Sequence, residues 1–348
     1  MTFTIAHINV ARDYRGGERQ TELLIKELGH FDVRQILVAR KDSPLAQRIQ
    51  SPGLETRTVS GNHFGVAAAC RGVDIMHVHE GRSVYAAYLR SLISGTPYIV
   101  TRRVDNPVRK HWLSHRAYRR AAVVTAVAGQ VGKVLRRHNP QLNPQIVHSA
   151  SSGLAVDKAR SKEIREAYPG KCLVGHVGAL DNEQKGQEFI IEVARQLQQS
   201  HPDIQFLLVG GGEDETMLKE MAAGLSNLTF VGFVENVGDF LAAFDVFILP
   251  SRKEGIGGIL LDAMEQRLPV IASNVGGVAE IVKDGENGIL IEAARPDQLQ
   301  AAILHLCREP QLRLEMGERG SLVAKHFTAS VMCEKYLKIY RSVLGQND

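Results

Sequence analysis

The sequence predicts an α/β protein of two Rossmann-like, doubly wound domains, and three observations carry that expectation. Its 348 residues exceed one typical domain of ~150 residues and suffice for two cores. Short, nearly all-apolar runs alternate with amphipathic stretches along the chain, the pattern of parallel strands covered by helices on both faces. The alternation breaks at 138–161, where HNPQLNPQIVHSASSGLAVDKARS gathers Pro, Asn, Ser and Gly around short apolar pieces.

In the first half the strand-like runs are 4–10, 34–39, 75–78, 98–101 and 123–127, with helical spacing over 18–28, 83–94 and 111–120. In the second half the runs are 173–177, 205–209, 228–231, 246–249, 270–272 and 288–291. This predicts an N-terminal domain at 1–155, a C-terminal domain at 156–328, and a last helix in 329–348. That helix is followed by no strand and is expected to pack back on the first domain. Two such domains are expected to face a cleft between the carboxyl ends of their sheets, where doubly wound folds take ligands.

Composition narrows the function classes. With 44% apolar, 23% charged and 6% aromatic residues, the chain is neither disordered nor fibrous. Cys70, Cys172, Cys307 and Cys333 form no C-x-x-C pair and read as reduced thiols rather than a metal site or disulfide framework. No apolar run approaches the ~18–20 residues that span a bilayer, and the N-terminus lacks the basic and apolar regions of a secretory signal, so a cytoplasmic location is expected. The net charge of +4 conceals a split: residues 1–150 hold 22 Lys and Arg against 10 Asp and Glu, an excess of +12, and the remainder carries −8. A basic half suits a phosphate-rich partner.

Three segments carry candidate chemistry. After the first run, Gly16 and Gly17 precede a helix expected near Glu18; glycines there let backbone N–H groups approach an anion, although an ordinary strand-to-helix turn would look the same. The spacing is neither G-x-G-x-x-G nor a P-loop. At the start of the second domain a polar loop leads to Lys185 and Gly186 and then a helix, so that Lys185 could meet a diphosphate at a helix N-terminus; an exposed loop lysine is the plain alternative. The densest segment is DVFILPSRKEGIGGILLDAMEQRLPVIASNVGGVAEIVKDGENG at 245–288. Glu254 is expected at the loop-to-helix junction and Asp262 about two turns later on the same helix face, with the N–H groups of Gly255, Ile256 and Gly257 turned to the same pocket. A helix dipole favouring N-terminal acids explains Glu254, but neither the glycine density nor the second glycine turn, Gly276 and Gly277.

Across segments 11–17, 175–186, 209–213, 231–237 and 245–288 the chain resembles the retaining GT-B glycosyltransferases, specifically glycosyltransferase family 4 of the bacterial cell-envelope and lipopolysaccharide-core type. The resemblance spans essentially the whole chain and is more specific in the second half. It implies a C-terminal domain that binds a nucleotide-sugar donor, with a UDP-sugar favoured, and an N-terminal domain that holds the acceptor, with no metal and no separate cofactor. Glu254 matches the first of the family's two glutamates, implied to hold the donor sugar or support charge at its anomeric carbon. Asp262 stands where the second would contact the ribose. Lys185 is implied to grip the diphosphate, Gly16 and Gly17 to face it, Gly255, Ile256 and Gly257 to line the donor site, and backbone around Val234 to frame the base.

The chain departs from the pattern in three places. Ala179 replaces an arginine that commonly partners the lysine, the loop to Lys185 is one residue longer, and Thr101 is followed by Arg102 and Arg103 where the family often has a histidine. Arg103 is the catalytic candidate of the first domain in an electrostatic role, since a guanidinium cannot serve as a base at neutral pH. A front-face transfer, in which the departing phosphate accepts the acceptor proton, tolerates that replacement. His79, Arg102, Arg103 and Asp105 are the acceptor-side candidates. His77 and His79 read as acceptor-site or core histidines rather than metal ligands, lacking a further well-spaced ligand.

The segment 102–120 adds Arg109, Lys110, Arg116, Arg119 and Arg120, with Trp112 and Tyr118 interleaved. A solvated helix face is the plain reading, but the charge excess and the one Trp favour an anionic glycolipid acceptor or peripheral contact with an anionic membrane. The expected function is therefore transfer of a hexose-type sugar from a nucleotide-sugar to an anionic, lipid-linked glycan such as lipopolysaccharide core. The alternatives are a non-catalytic sugar-nucleotide binder, which Ala179 and the absent histidine favour, and a sugar-nucleotide epimerase of the same fold. No nucleic-acid module is recognisable.

Overall fold

The computed structural model describes residues 2–108 and 111–346. It divides into one unit made of Met1–Ser152 with Thr328–Asp348 and another made of Gly153–Phe327. The division falls a few residues before the expected 155/156 because side-chain bonds tie each flank to its own unit. Gln20 donates to the Ala150 carbonyl and accepts from its N–H, both at 2.7 Å. Past Gly153, the Asp157 N–H donates to Asp239 Oδ1 at 2.7 Å.

The first unit holds β1 (Thr4–Asn9), β2 (Arg34–Arg40), β3 (Leu54–Val59), β4 (Ile75–Val78), β5 (Tyr98–Arg102), β6 (Val123–Ala126) and β7 (Gln145–Ile146). They form a parallel sheet of order β3-β2-β1-β4-β5-β6-β7. The second unit holds β8 (Cys172–Val177), β9 (Ile204–Val209), β10 (Leu228–Gly232), β11 (Val246–Leu249), β12 (Val270–Ser273) and β13 (Gly288–Ile291), ordered β10-β9-β8-β11-β12-β13 and again parallel. Each sheet reverses direction of growth once, between β1 and β4 and between β8 and β11, which makes the carboxyl ends of those strands the ligand positions of a doubly wound fold.

Two strands were not expected. Leu54–Val59 has apolar residues only at its two ends, with four polar residues between them, and is half-exposed at the sheet edge, so it lacks the continuous apolar signature of its neighbours. Gln145–Ile146 is only two residues long.

The helix Ala329–Val343 is N-capped by Thr328, whose hydroxyl accepts from the Val331 N–H at 3.3 Å. Its buried stripe of Met332, Cys333, Tyr336, Leu337 and Tyr340 packs with Phe3, Ile5, Leu24, Leu28, Ile75 and Ile99. In the second unit the core joins Val174, Phe206, Leu208, Val246, Ile248 and Ile271 to apolar faces of Gln187–Leu197 and Pro296–Arg308. Cys172 and Cys307, far apart in sequence, both pack against this core as free thiols. Among the described residues no helix is long and apolar enough to cross a membrane.

Candidate functional site

At the switch point of the second sheet, β8 runs into Gly178–Asp181 and a single helical turn, Asn182–Lys185, capped by Asp181. Gly186 then turns left-handed at φ 66° before helix Gln187–Leu197. A Cβ at Gly186 would lie 2.6 Å from the Pro250 carbonyl oxygen. Only glycine lets the Lys185 turn seat against the end of β11. Lys185 Nζ thereby reaches Glu254 Oε1 at 2.6 Å, and Ser251 Oγ donates to the same oxygen at 2.8 Å. The Glu254 side chain is 8% exposed and Lys185 17%. A buried carboxylate with two donors is held in one orientation, and its lysine is poised to exchange that partner for another anion.

The helix after β11 starts at Gly258, not at Glu254. Gly257 turns left-handed at φ 72° to cap Gly258–Glu265. Glu254 and Asp262 therefore do not share a helix face: Glu254 stands in the preceding loop and Asp262 is buried within the helix. The glycine density has a steric cause. A Cβ at Gly276, where φ is 56°, would sit 1.8 Å from the Glu254 carbonyl oxygen, and the Gly277 N–H donates to the Gly255 carbonyl at 2.9 Å. The second glycine turn braces the Glu254–Ile256 segment from behind. Val234 is half-buried two residues past β10.

Arg252 and Lys253, the cations of the loop that carries Glu254, are committed elsewhere. Arg252 donates to the Asn182 carbonyl at 2.8 Å, pairs with Glu188 and lies over the Phe189 ring. Lys253 pairs with Glu183 at 3.2 Å. Beneath the turn, His176 accepts no charge: burial lowers its pKa to about 4, and Nδ1 lies 3.0 Å from the Ile248 carbonyl.

In the first unit Gly16 and Gly17 are the first two residues of helix Gly16–Leu28 rather than its prelude. Arg103 lies beside them, its Cδ 3.5 Å from where a Gly17 Cβ would be, and its Nη2 is 3.3 Å from His79 Nδ1. His79 is 2% exposed, so this candidate is interior and meets the site through Arg103. Arg102 bends back onto its own loop, donating to the carbonyls of Val104 at 3.2 Å and Asn106 at 2.6 Å. Asp105 is half-buried in that loop.

Behind Arg103 runs a buried polar row that sequence reasoning only partly found. His7 pairs in register with His77 across β1 and β4. His7 Nδ1 is 3.0 Å from His79 Nε2. His77 lies 2.6 Å from the Tyr340 hydroxyl and 2.7 Å from Thr101 Oγ1, which in turn contacts Thr125 and Tyr336. Burial keeps all three imidazoles neutral, with His7 lowered to about 3 and His77 and His79 well below the ordinary histidine value. Their nitrogens lie within 4.8 Å of one another, close enough to suggest a metal. Every ring nitrogen except His7 Nε2 is already engaged with another imidazole, with Thr101, with Tyr340 or with a cationic guanidinium, a set ill-suited to a dication. His7, Ser251, Tyr336 and Tyr340 escaped the sequence reading; the signal for His7 was a lone imidazole between the apolar residues Ala6 and Ile8.

The basic segment divides. Arg109 and Lys110 lie outside the described residues. In helix Trp112–Arg120, Trp112 is 65% exposed with the Arg116 guanidinium 5.6 Å from its ring, and Arg119 is exposed. Tyr118 is buried and Arg120 bonds Ser91.

A family model described as glycosyl transferases group 1 matches residues 171–309. The alpha-D-kanosaminyltransferase of Streptomyces kanamyceticus is 30% identical over 301 residues, 77% of this chain and 77% of its own. The lipopolysaccharide core biosynthesis glycosyltransferase LpsE of Rhizobium meliloti is 29% identical over 164 residues, 46% of this chain and 47% of its own. Among solved structures, Anabaena HepE in complex with UDP-glucose superposes with a TM-score of 0.86 at 17% identity, over 98% of this chain and 100% of that one, a likeness of fold.

Proposed function

The chain belongs to the glycosyl transferases of group 1, a GT-B glycosyltransferase by fold, and from that premise we propose that it moves a hexose from a nucleotide-sugar to an anionic glycan acceptor with retention of configuration and without a metal. The observation that carries this reading is the Lys185–Glu254–Ser251 cluster at the switch point of the second sheet. When a donor enters, its diphosphate takes Lys185 from Glu254, and the freed carboxylate faces the anomeric carbon as positive charge develops there. The Gly255–Gly257 backbone and Asp262 contact the donor's sugar and ribose, and backbone at Val234 frames the base. In the first unit, the Arg103 guanidinium and the N-terminus of Gly16–Leu28 offer positive charge and free N–H groups suited to an anionic group. The departing phosphate takes the proton of the attacking acceptor hydroxyl on the same face, so the reaction requires no protein base and tolerates an arginine at position 103.

The acceptor reading is supported by the +12 excess of residues 1–150, the exposed Trp112, Arg116 and Arg119, and a relative named for lipopolysaccharide core biosynthesis. Hydrolysis of UDP-, GDP- and ADP-sugars by the purified protein, followed by transfer to phosphorylated lipid-linked glycans, tests it. A UDP-hexose is the expected donor. Nucleotide binding with no turnover across the panel would favour a non-catalytic binder instead. Reversing Arg116 and Arg119 to Glu should abolish sedimentation with anionic liposomes and spare donor hydrolysis; wild-type protein that ignores such liposomes at low salt would remove the membrane contact.

A further inference from the structure

We propose that His79 and His7 are positioning residues that hold the Arg103 guanidinium in one orientation beside Gly16 and Gly17, through a hydrogen-bond relay of fixed direction whose far end, His7, lies one diagonal from Gln35. The proposal rests on the reading above, in which Arg103 acts in the transfer.

Donor and acceptor chemistry sets the direction. A guanidinium has only donors, so His79 Nδ1, 3.3 Å from Arg103 Nη2, must accept. His79 then carries its proton on Nε2 and donates to His7 Nδ1 at 3.0 Å. His7 in turn carries its proton on Nε2; that nitrogen and Gln35 Oε1 are both buried, and neither makes a hydrogen bond. Gln35 sits on β2 one diagonal from His7, since Ile5 pairs Gln35 and His7 pairs Leu37. Its amide nitrogen donates to the Ile25 carbonyl at 3.0 Å, which fixes that end and leaves Oε1 as the free acceptor. A ring protonated at both nitrogens would break the relay, because it offers no acceptor; burial disfavours that form at both positions. Arg103 Nε is buried and makes no hydrogen bond, so the contact with His79 anchors the tip of an otherwise long and rotatable side chain.

Two measurements test it. Long-range proton–nitrogen correlation spectra of the labelled, unsubstituted protein should show His7 and His79 neutral at pH 7 with the proton on Nε2 in both. Kinetically, His7→Leu, which touches no part of Arg103, should lower kcat about tenfold through misorientation, yet change it less than twofold in an Arg103→Ala background. His79→Asn, which keeps an acceptor near Nδ1, should retain more activity than His79→Leu. A His79 proton on Nδ1, an imidazolium at either site, or equal losses from His7→Leu in both backgrounds would overturn the relay. Stoichiometric zinc binding that shifts all three imidazoles would replace it with a metal site. Failure of the transferase reading is distinguishable: the wild-type protein would turn over no nucleotide-sugar while the spectra still reported the relay.

Discussion

Replacing Gly276 by alanine separates a braced carboxylate from one that is merely nearby. At φ 56° an L side chain is strained, a penalty of about 1–2 kcal/mol in stability. The new Cβ would also meet the Glu254 carbonyl oxygen at 1.8 Å, where ordinary contact begins at 3.4 Å, so the Glu254 backbone must retreat by about 1.5 Å in a close-packed setting. Misplacing a reacting group by ~1 Å lowers turnover on the order of a hundredfold, equivalent to about 2.7 kcal/mol of transition-state stabilisation. Gly285 supplies the control: its φ is 74°, and nothing lies within 4 Å of its Cβ position. Gly285→Ala should thus share the stability loss and keep wild-type kcat. Steady-state kinetics of donor turnover beside thermal melts reads both quantities. Wild-type kcat in Gly276→Ala, or equal kinetic losses in the two variants, would refute the reasoning.

Glu254→Gln keeps the shape and removes the charge; turnover should fall about a hundredfold, as for loss of an electrostatic stabiliser, with an unchanged circular dichroism spectrum, and a loss below threefold would exclude the role. Lys185→Ala should weaken UDP binding at least tenfold by calorimetry, since Ala179 offers no second charge and Arg252 is already paired; a charge-assisted bond is worth about 1.5–3 kcal/mol. Acid should destabilise the protein early. Unfolded histidine takes up a proton below pH 6.5 while folded His7 resists until about 3, so stability is full above 6.5 and declines as pH falls toward 3, by up to about 1.4 kcal/mol per pH unit for each such imidazole. A denaturation midpoint that stays flat from pH 6.5 to 4.5 would contradict the buried neutral row.

The sequence disclosed elements that bury both faces and hid those that do not. Runs such as 246–249 are apolar throughout and were legible at once, whereas Leu54–Val59 shows one face to solvent and reads as a loop. In the site, Lys185 and Glu254 were identifiable singly; their 2.6 Å contact was not, because it depends on Gly186 seating one turn against another 64 residues away at Pro250. Counting helical turns from Glu254 failed for a local reason: Gly257 adopts a left-handed conformation that delays the helix. The two glycine clusters in 245–288 stood out as unexplained, and their meaning is a backbone-to-backbone approach that a one-dimensional string cannot express. His7 and Gln35 lie 28 positions apart and become diagonal neighbours only through the register of β1 on β2.

The unit built from Met1–Ser152 and Thr328–Asp348 has a consequence for biosynthesis. Its N-terminal strands leave the ribosome first, yet the Tyr336 and Tyr340 hydroxyls that meet His77 and Thr101 are translated only after all of Gly153–Phe327. At about 5–20 residues per second the nascent chain waits roughly 10–35 s with His77 and Thr101 lacking those partners and one sheet face without its last cover. Gly153–Phe327 is continuous and can fold during that interval. The unit whose strands are made before Gly153–Phe327 is therefore completed after it, and through that interval its uncovered apolar sheet face is the surface a holdase chaperone would bind.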